Sequence, residues 1–289
     1  MLSQNTLITS DWNSISNSDF GEIISRVNAG AVFLVRNCPR EPMGVVSLAK
    51  KFGNPMSKLA FKHKFSDDPI FRYVGNVSLK HQLAKQERMD TNDHEALTVH
   101  TARSYCPVRP RYFALLMADA GWIDFESGKN GETVLVQWER VFAAYQRQYD
   151  SYRNDFDLLA RESLSYRPWY YPEGDVASEP LVRLRADGKL AVRYWQHMSS
   201  FLAKSTVSPH LQEILLRIDK LSNSPENQLV FQMRSGDAYV IDNELIAHGR
   251  RYFVGEKSEG SETRFSSRQI YSVHVDPSAE AVEFLSKEL

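Results

Sequence analysis

Two of the eight histidines in this 289-residue chain stand in sequence contexts that suit metal binding. His100 ends a short apolar run and is followed by Thr-Ala-Arg. His248 follows a Gly-Asp turn, a β-branched run and an Asp-Asn pair, and it precedes Gly-Arg. A polar pair that holds a turn beside a histidine is costly if the histidine only fills space. Taken singly, each histidine would be a surface or structural residue, and the context selects His100 and His248 as candidate metal ligands.

The cysteine count limits which side chains could bind a metal. Cys38 and Cys106 are the two cysteines, and the sequence has no Cys-x-x-Cys spacing. Disulfide frameworks and thiolate zinc sites need several cysteines at short spacings, so neither is expected. Any metal would therefore be bound by histidine and carboxylate.

The charge balance excludes several classes of partner. The chain has 35 Lys and Arg against 36 Asp and Glu, a formal net charge of −1, and no basic cluster. Proteins that bind nucleic-acid polymers by neutralising phosphates need such a cluster, so we expect no nucleic-acid polymer as a partner.

No window of about 20 residues is apolar enough to span a bilayer, and no secretion signal is visible. We expect no membrane association and a cytoplasmic location.

Hydrophobic periodicity indicates the elements that must position the two histidines. Apolar residues at helical spacing predict helices over 19–28, 45–52, 138–164 and 209–221. Short β-branched or aromatic runs predict strands at 31–36, 97–100, 133–136, 190–194, 229–231, 237–241 and 268–274. His100 and His248 thus lie on or beside predicted strands.

Many short strands with a few helices favour an α+β fold, a β-sandwich or jelly roll with helices packed on one side. Strands and helices do not alternate regularly, so a parallel doubly wound sheet is the weaker interpretation. The sequence contains no internal repeat and no linker, which predicts one domain over residues 1–289. The aromatic-rich stretch 165–195 is typical of a long insertion, and it could serve as an active-site lid.

The segment around His248 resembles the distal-histidine motif of the iron(II)/2-oxoglutarate-dependent oxygenases of the taurine dioxygenase and clavaminate synthase type. Other pieces follow in the order typical of that family: the strand 31–36, Phe-Gly at 52–53, Gly-Asn-Val at 75–77 and Gly-Glu-Thr at 131–133. The resemblance covers residues 30–274. It implies a double-stranded β-helix core, a cupin-like jelly roll with flanking helices. It also implies Fe(II), 2-oxoglutarate and O2 as cofactors.

The resemblance assigns roles residue by residue. His100 and His248 match the two iron-binding histidines of the family. Thr133 and Arg264 match the pair that holds the distal carboxylate of 2-oxoglutarate, a group that the planar guanidinium fork of arginine suits. Arg268 matches the arginine that binds the substrate carboxylate in amino-acid hydroxylases. In one continuous strand, Arg264 and Arg268 would project to the same face. The alternative is that both are surface strand arginines.

The sequence departs from the family pattern at Ala102. The family has Asp or Glu two residues after the first histidine, as the third ligand of the two-His-one-carboxylate triad that suits Fe(II) oxygen chemistry. Alanine cannot bind iron, so a dissociable anion or water must complete the shell. His-x-Ala resembles the non-haem iron halogenases, in which chloride occupies this position. One chloride would restore the single negative charge of the missing carboxylate.

Three functions compete on the sequence alone. The first is a halogenase that chlorinates an unactivated carbon of a small molecule and releases succinate and CO2. The second is a hydroxylase or desaturase of the same superfamily, with water or a carboxylate such as Asp93 or Glu95 in the open position. The third is a catalytically silent jelly roll that binds a small ligand, although Thr133 and Arg264 beside two well-placed histidines disfavour it.

The substrate class depends mainly on Arg268. If it binds a carboxylate, a free amino acid is favoured over a substrate tethered to a carrier protein, whose carboxyl is consumed in a thioester. A free nucleotide would also suit an arginine. Arg103 and Tyr105 follow the first histidine closely, and they could steady chloride or substrate or serve packing alone.

Overall fold

The computed structural model describes residues 6–57, 69–78, 96–123, 128–166, 176–195, 207–259 and 262–278. The α-helices are α1 (Phe20–Asn28), α2 (Pro42–Lys50), α3 (Trp138–Gln148), α4 (Tyr152–Arg161) and α5 (Pro209–Ser222). Short 3-10 helices lie at Trp12–Ser14, Asn17–Asp19, Pro69–Arg72 and Pro225–Asn227. Among the described residues, no helix is long and apolar enough to cross a membrane.

Three of the four predicted helices are confirmed as α1, α2 and α5, and the fourth is wrong as a single element. Residues 138–164 form α3, a break, α4 and the start of a strand. The buried Asp155 accepts hydrogen bonds from the Tyr145 hydroxyl, at 2.7 Å, and from the Ser151 hydroxyl, at 2.6 Å. These bonds draw α4 back against α3, and Tyr149 leaves the helix in an extended conformation.

Seventeen strands are present in the described part of the chain. They are β1 (Leu7–Asp11), β2 (Val32–Arg36), β3 (Asn54–Pro55), β4 (Val74–Ser78), β5 (Leu97–His100), β6 (Tyr112–Asp119), β7 (Thr133–Gln137), β8 (Ser163–Ser165), β9 (Ser178–Pro180), β10 (Val182–Leu184), β11 (Leu190–Val192), β12 (Gln228–Phe231), β13 (Ala238–Asp242), β14 (Ile246–Arg250), β15 (Glu256–Glu259), β16 (Glu262–Phe265) and β17 (Gln269–Asp276). Most are short, as expected for an antiparallel fold.

Two main sheets organise these strands. The larger has the order β1-β2-β13-β6-β17-β3, with β4 also paired to β17. The smaller has the order β12-β7-β14-β5. Strand β1 pairs parallel to β2, and the other described pairings are antiparallel. The chain therefore has the mixed helical and antiparallel content that the sequence predicts.

The two sheets face each other across a shared apolar core. The larger sheet contributes Val32, Leu34, Phe113, Met117, Tyr239, Ile241 and Ile270, and the smaller sheet contributes Leu135 and Ile246. Alternate residues of the same strands point away from this core, because side chains alternate across a strand. The inner face of each sheet is therefore the surface on which a site between the sheets would be built.

Helices cover the outer faces of both sheets. Helices α1 and α2 pack against the larger sheet, and α3, α4 and α5 pack against the smaller one. The prediction that the helices lie on one side is therefore wrong. The helical patterns mark which face of each helix is apolar, but they do not specify the sheet face that it covers.

Candidate metal centre

The structure brings His100 and His248 together on the inner face of the smaller sheet. They are register partners in the pairing of β5 with β14, and their ring centroids are 4.4 Å apart. On β14, Ile246 belongs to the core between the sheets and Ala247 to the outer core, so His248 returns to the inner face. Two strands that are distant in sequence thus place two imidazoles side by side.

The surroundings of both rings favour neutral imidazoles. Burial lowers the pKa of His100, and burial together with the nearby His100 ring holds the pKa of His248 well below its usual value. Nδ1 of His100 lies 3.0 Å from the carbonyl oxygen of Thr98. If Nδ1 donates this bond, Nε2 keeps its lone pair for a metal. The buried Nδ1 of His248 has no hydrogen-bond partner among the described residues. These features fit a divalent metal, which requires deprotonated ligands.

Ala102 lies in the turn that follows β5, and its side chain packs in the core between the sheets, 5% exposed. The backbone N–H of Thr101, just before it, donates to the carbonyl of Tyr194 at 2.8 Å. No cluster of three His, Cys, Asp or Glu side chains suited to a metal occurs among the described residues. No described carboxylate therefore replaces the missing third ligand, and Asp93 and Glu95 lie outside the described residues.

Arg268 is the arginine that the structure places against Asn130 and Gly131, just before Thr133 begins β7. The residue is 4% exposed, and its guanidinium donates to the carbonyls of Asn130, at 3.4 Å, and Gly131, at 3.0 Å. Thr133 and Leu135 share one face of β7, and Leu135 belongs to the core between the sheets, so Thr133 faces inward. Burial lowers the pKa of Arg268 to about 10, and the carboxylate of Glu132 acts in the opposite direction.

The contact between Arg268 and Gly131 is tight. Gly131 has a positive φ of 63°, and a Cβ built on it would lie 3.1 Å from Cζ of Arg268. A larger residue at Gly131 would displace the guanidinium, and the backbone conformation also favours glycine. Nε of Arg268 has no hydrogen-bond partner in the part of the chain that the structure describes. The buried guanidinium is suited to bind an anion.

Arg264 occupies a different place from Arg268. It lies in β16, where it pairs with Lys257 of β15, and its side chain is exposed. The prediction that the two arginines share one strand face is wrong, because β16 ends at Phe265 and β17 begins at Gln269. The intervening residues turn the chain from an exposed hairpin into the larger sheet.

A family model for the taurine catabolism dioxygenase TauD, TfdA family matches residues 3–267. The chain belongs to the TauD/TfdA family. It is thereby an enzyme of the Fe/2-oxoglutarate-dependent oxygenase superfamily, for which Fe(II), 2-oxoglutarate and O2 are the expected cofactors. A comparison with curated protein sequences finds no match.

Several solved structures have a similar fold. An asparagine oxygenase in complex with Fe(II), 2S,3S-3-hydroxyasparagine and succinate matches with a TM-score of 0.63 and 17% identity, over 90% of this chain and 79% of that chain. PvcB from Pseudomonas aeruginosa matches with a TM-score of 0.59 and 15% identity, over 93% and 84%. A taurine dioxygenase from Burkholderia xenovorans matches with a TM-score of 0.58 and 18% identity, over 93% and 85%. The two facing sheets are consistent with the double-stranded β-helix fold.

The sequence interpretation gave no role to Arg250 or Phe113, although Arg250 adjoins Thr133 and Phe113 adjoins His248. Arg250 is buried, pairs across the sheet with Thr133, and lies over the ring of Phe253 at 4.7 Å. Arg268 lies over the same ring at 5.2 Å. The Gly-Arg that follows His248 was a visible signal for Arg250. Phe113 stands in a continuous apolar run, so nothing in the sequence distinguished it.

Arg103 and Tyr105 are both buried beside the metal segment. Arg103 has a positive φ of 54°, a conformation that is uncommon for residues other than glycine. Among the described residues of the insertion, Tyr166 stacks on Trp195 with centroids 5.3 Å apart and an interplanar angle of 6°. Trp169, Tyr170 and Tyr171 lie outside the described residues. The lid function therefore stays a prediction.

Proposed function

We propose that this TauD/TfdA enzyme is a non-haem Fe(II)/2-oxoglutarate-dependent halogenase with a jelly-roll core. It would chlorinate an unactivated C–H carbon of a small carboxylate-bearing substrate. The observation that supports this proposal is Ala102, which occupies the position of the family carboxylate two residues after His100, with no described carboxylate in its place. When bound, Fe(II) with 2-oxoglutarate, O2 and chloride would supply C–H cleavage and halide transfer, and would release succinate and CO2.

In this proposal, His100 and His248 bind the iron. Their lowered pKa values keep both rings neutral at neutral pH, so no proton has to leave before the metal binds. The methyl group of Ala102 is buried and offers no ligand atom, so a small anion would have to take the carboxylate position. Chloride suits this position because a carboxylate there would contribute the same single negative charge.

Thr133 and Arg268 are proposed to hold the distal carboxylate of 2-oxoglutarate. The guanidinium of Arg268 is already fixed by the Asn130 and Gly131 carbonyls, so little conformational entropy would be lost on binding. The exposure of Arg264 on its hairpin makes it the weaker candidate for this role. If Arg268 binds 2-oxoglutarate, Arg250 is a second buried guanidinium close to Thr133 that could bind a substrate carboxylate.

Hydroxylation with water in the open position is the second candidate. The asparagine oxygenase structure contains a hydroxylated asparagine, and the OrfP oxygenase structure contains Fe, succinate and (3S)-hydroxy-L-Arg. Those ligands also support a free amino acid as the substrate, and a nucleotide is the alternative substrate class. A carrier-bound substrate is disfavoured, since its carboxyl would be in a thioester.

Product analysis separates these candidates. The purified protein is incubated anaerobically with Fe(II), 2-oxoglutarate, excess chloride and a panel of amino acids and nucleotides, and O2 is then admitted. Halogenation predicts succinate together with a product that shows the two-isotope pattern of chlorine in its mass spectrum. Succinate formed together with products that gain only oxygen would contradict halogenation and support hydroxylation. A protein that binds no Fe(II) would be a silent ligand-binding jelly roll.

A further inference from the structure

We infer that Asn243 is a positioning residue for the open iron position, because its side chain fixes the backbone of Ala102 from across the site. The inference rests on the proposed function for its catalytic meaning. Asn243 lies in the turn that connects β13 and β14, five residues before His248. Ala102 follows β5, which carries the other iron-binding histidine.

The side chain of Asn243 makes three hydrogen bonds. Its Oδ1 accepts from the backbone N–H of Ala102 at 2.7 Å. Its Nδ2 donates to the carbonyl of Ala102 and to that of Pro110, both at 3.1 Å. The residue is 2% exposed. Both amide protons and the amide oxygen are thus used, and Ala102 is held on both sides of its Cα.

The turn that carries Asn243 is itself fixed. The carboxylate of Asp242 is buried and lies 2.9 Å from guanidinium nitrogens of both Arg111 and Arg185. The backbone N–H of Asn243 donates to the carbonyl of Arg111 at 2.9 Å. The amide therefore projects from a rigid base toward Ala102, and its three hydrogen bonds do not depend on a metal.

These bonds have a specific consequence at Ala102. Alanine offers no side-chain atom that could bind iron, so the metal itself cannot hold this backbone in place. The next residue, Arg103, has a positive φ, which costs energy and must be held by its surroundings. Asn243 thus holds the Ala102 backbone, which no side-chain bond from this residue to a metal could hold. By holding Ala102 in place, it would keep the backbone from moving into the proposed anion position.

Single-residue amide exchange tests the inference directly. In the Asn243→Ala variant, the Ala102 amide should exchange faster by on the order of tenfold, the loss expected for one hydrogen bond. The neighbouring Thr101 amide donates to Tyr194 and not to Asn243, so its exchange should change far less. Equal acceleration of both amides, or of neither, would overturn the inference.

A conservative variant covers the case in which Asn243→Ala fails to fold. The carboxylate of Asn243→Asp can still accept from the Ala102 N–H, but it cannot donate to the two carbonyls. We expect near-normal protection of the Ala102 amide in this variant. Loss of that protection in a folded Asn243→Asp protein would count against the role of Oδ1.

Iron affinity provides the second readout. We expect Asn243→Ala to weaken Fe(II) binding about tenfold or more, as is typical for residues that orient a metal shell. Asn227→Ala removes another buried amide, whose Nδ2 donates to Leu221 at 2.9 Å, and it should leave the Fe(II) affinity unchanged. If both variants weaken binding equally, Asn243 is merely structural. If the unsubstituted protein binds no Fe(II), the proposed function fails, while the exchange experiment still decides whether Asn243 holds the Ala102 backbone.

Discussion

The ring of Phe113 lies almost parallel to the imidazole of His248, with centroids 4.3 Å apart and an interplanar angle of 13°. Phe113 belongs to β6 in the larger sheet, and His248 belongs to β14 in the smaller sheet. A residue of one sheet thus sets the orientation of a candidate metal ligand on the other. A change in the distance between the two sheets would therefore change the geometry of the candidate metal site.

Removal of either histidine should abolish tight iron binding. We expect His100→Ala and His248→Ala each to raise the Fe(II) dissociation constant at least about 100-fold. The proposed site has two protein ligands, and each variant would leave only one of them to bind the metal. His210→Ala is the matched control, since His210 lies on α5 and pairs with Asp155 at 3.1 Å. Calorimetric titration under anaerobic conditions measures all three variants. An unchanged constant in His248→Ala would remove this residue from the site.

Restoring the missing carboxylate should change the reaction outcome. We expect Ala102→Asp to lose chlorination and to gain hydroxylation, since an aspartate would occupy the position proposed for chloride. In the unsubstituted protein, bromide should replace chloride and give a brominated product. Mass spectrometry of the products checks both expectations. Continued chlorination by Ala102→Asp would place the halide elsewhere.

The two arginines should differ in their effect on 2-oxoglutarate. We expect Arg268→Met to raise the dissociation constant of 2-oxoglutarate about 10-fold to 100-fold, because a charge-assisted hydrogen bond contributes about 1.5–3 kcal/mol. Arg264→Met serves as the control and should have little effect. Isothermal titration of the metal-loaded proteins measures both constants. The reverse order of effects would restore the assignment of Arg264 that the family resemblance implies.

Stability should depend on pH through Asp219 of α5. Burial raises the pKa of this carboxyl to about 6. A raised folded-state pKa means that the native protein holds this proton more tightly than the unfolded chain, so the stability contribution is present at low pH. It is lost as the pH rises through about 6. Asp219→Asn does not titrate, so its stability relative to the unsubstituted protein should rise between about pH 4 and pH 7, by up to about 3 kcal/mol.

Urea unfolding at several pH values measures this difference, and Asp19→Asn provides a contrast of opposite sign. The hydrogen bond with the Ser16 side chain lowers the pKa of Asp19, so its stabilising contribution is present at neutral pH and is lost as the pH falls. If Asp219→Asn has the same relative stability at all pH values, its carboxyl does not titrate as proposed.

Local patterns predicted the elements that depend on one apolar face. Helix α5 is an example, since Leu211, Ile214, Leu215 and Ile218 are all buried as their helical spacing requires. The same reasoning predicted one helix over 138–164, where the structure has two. The break between α3 and α4 involves hydrogen bonds to Asp155, which apolar spacing does not reveal. Strand β6 was not predicted. It is central in its sheet and buried on both faces, so its sequence has no alternation.

The residues of the candidate site were also predicted only in part. Sequence context and family order selected His100 and His248, which the fold places in register on neighbouring strands. The order of the family motifs did not predict where the side chains of Arg264 and Arg268 lie. The position of a side chain after a hairpin depends on where each strand ends. Asn243 was visible as a turn residue, but its bonds to Ala102 cross 141 positions of sequence.

Arg193 near the end of β11 joins three separate segments through one guanidinium. It donates to the carbonyls of Ser104, at 3.2 Å, and Glu179, at 2.7 Å, and also to that of Leu164. The turn after β5 and both strands of the β8–β9 hairpin are therefore coupled through one side chain. Exchanging the stretch 165–195 with that of a relative, as a route to new substrate range, would need to keep this arginine and its three acceptors. A graft without them would alter the turn after β5, which follows His100, along with the loop.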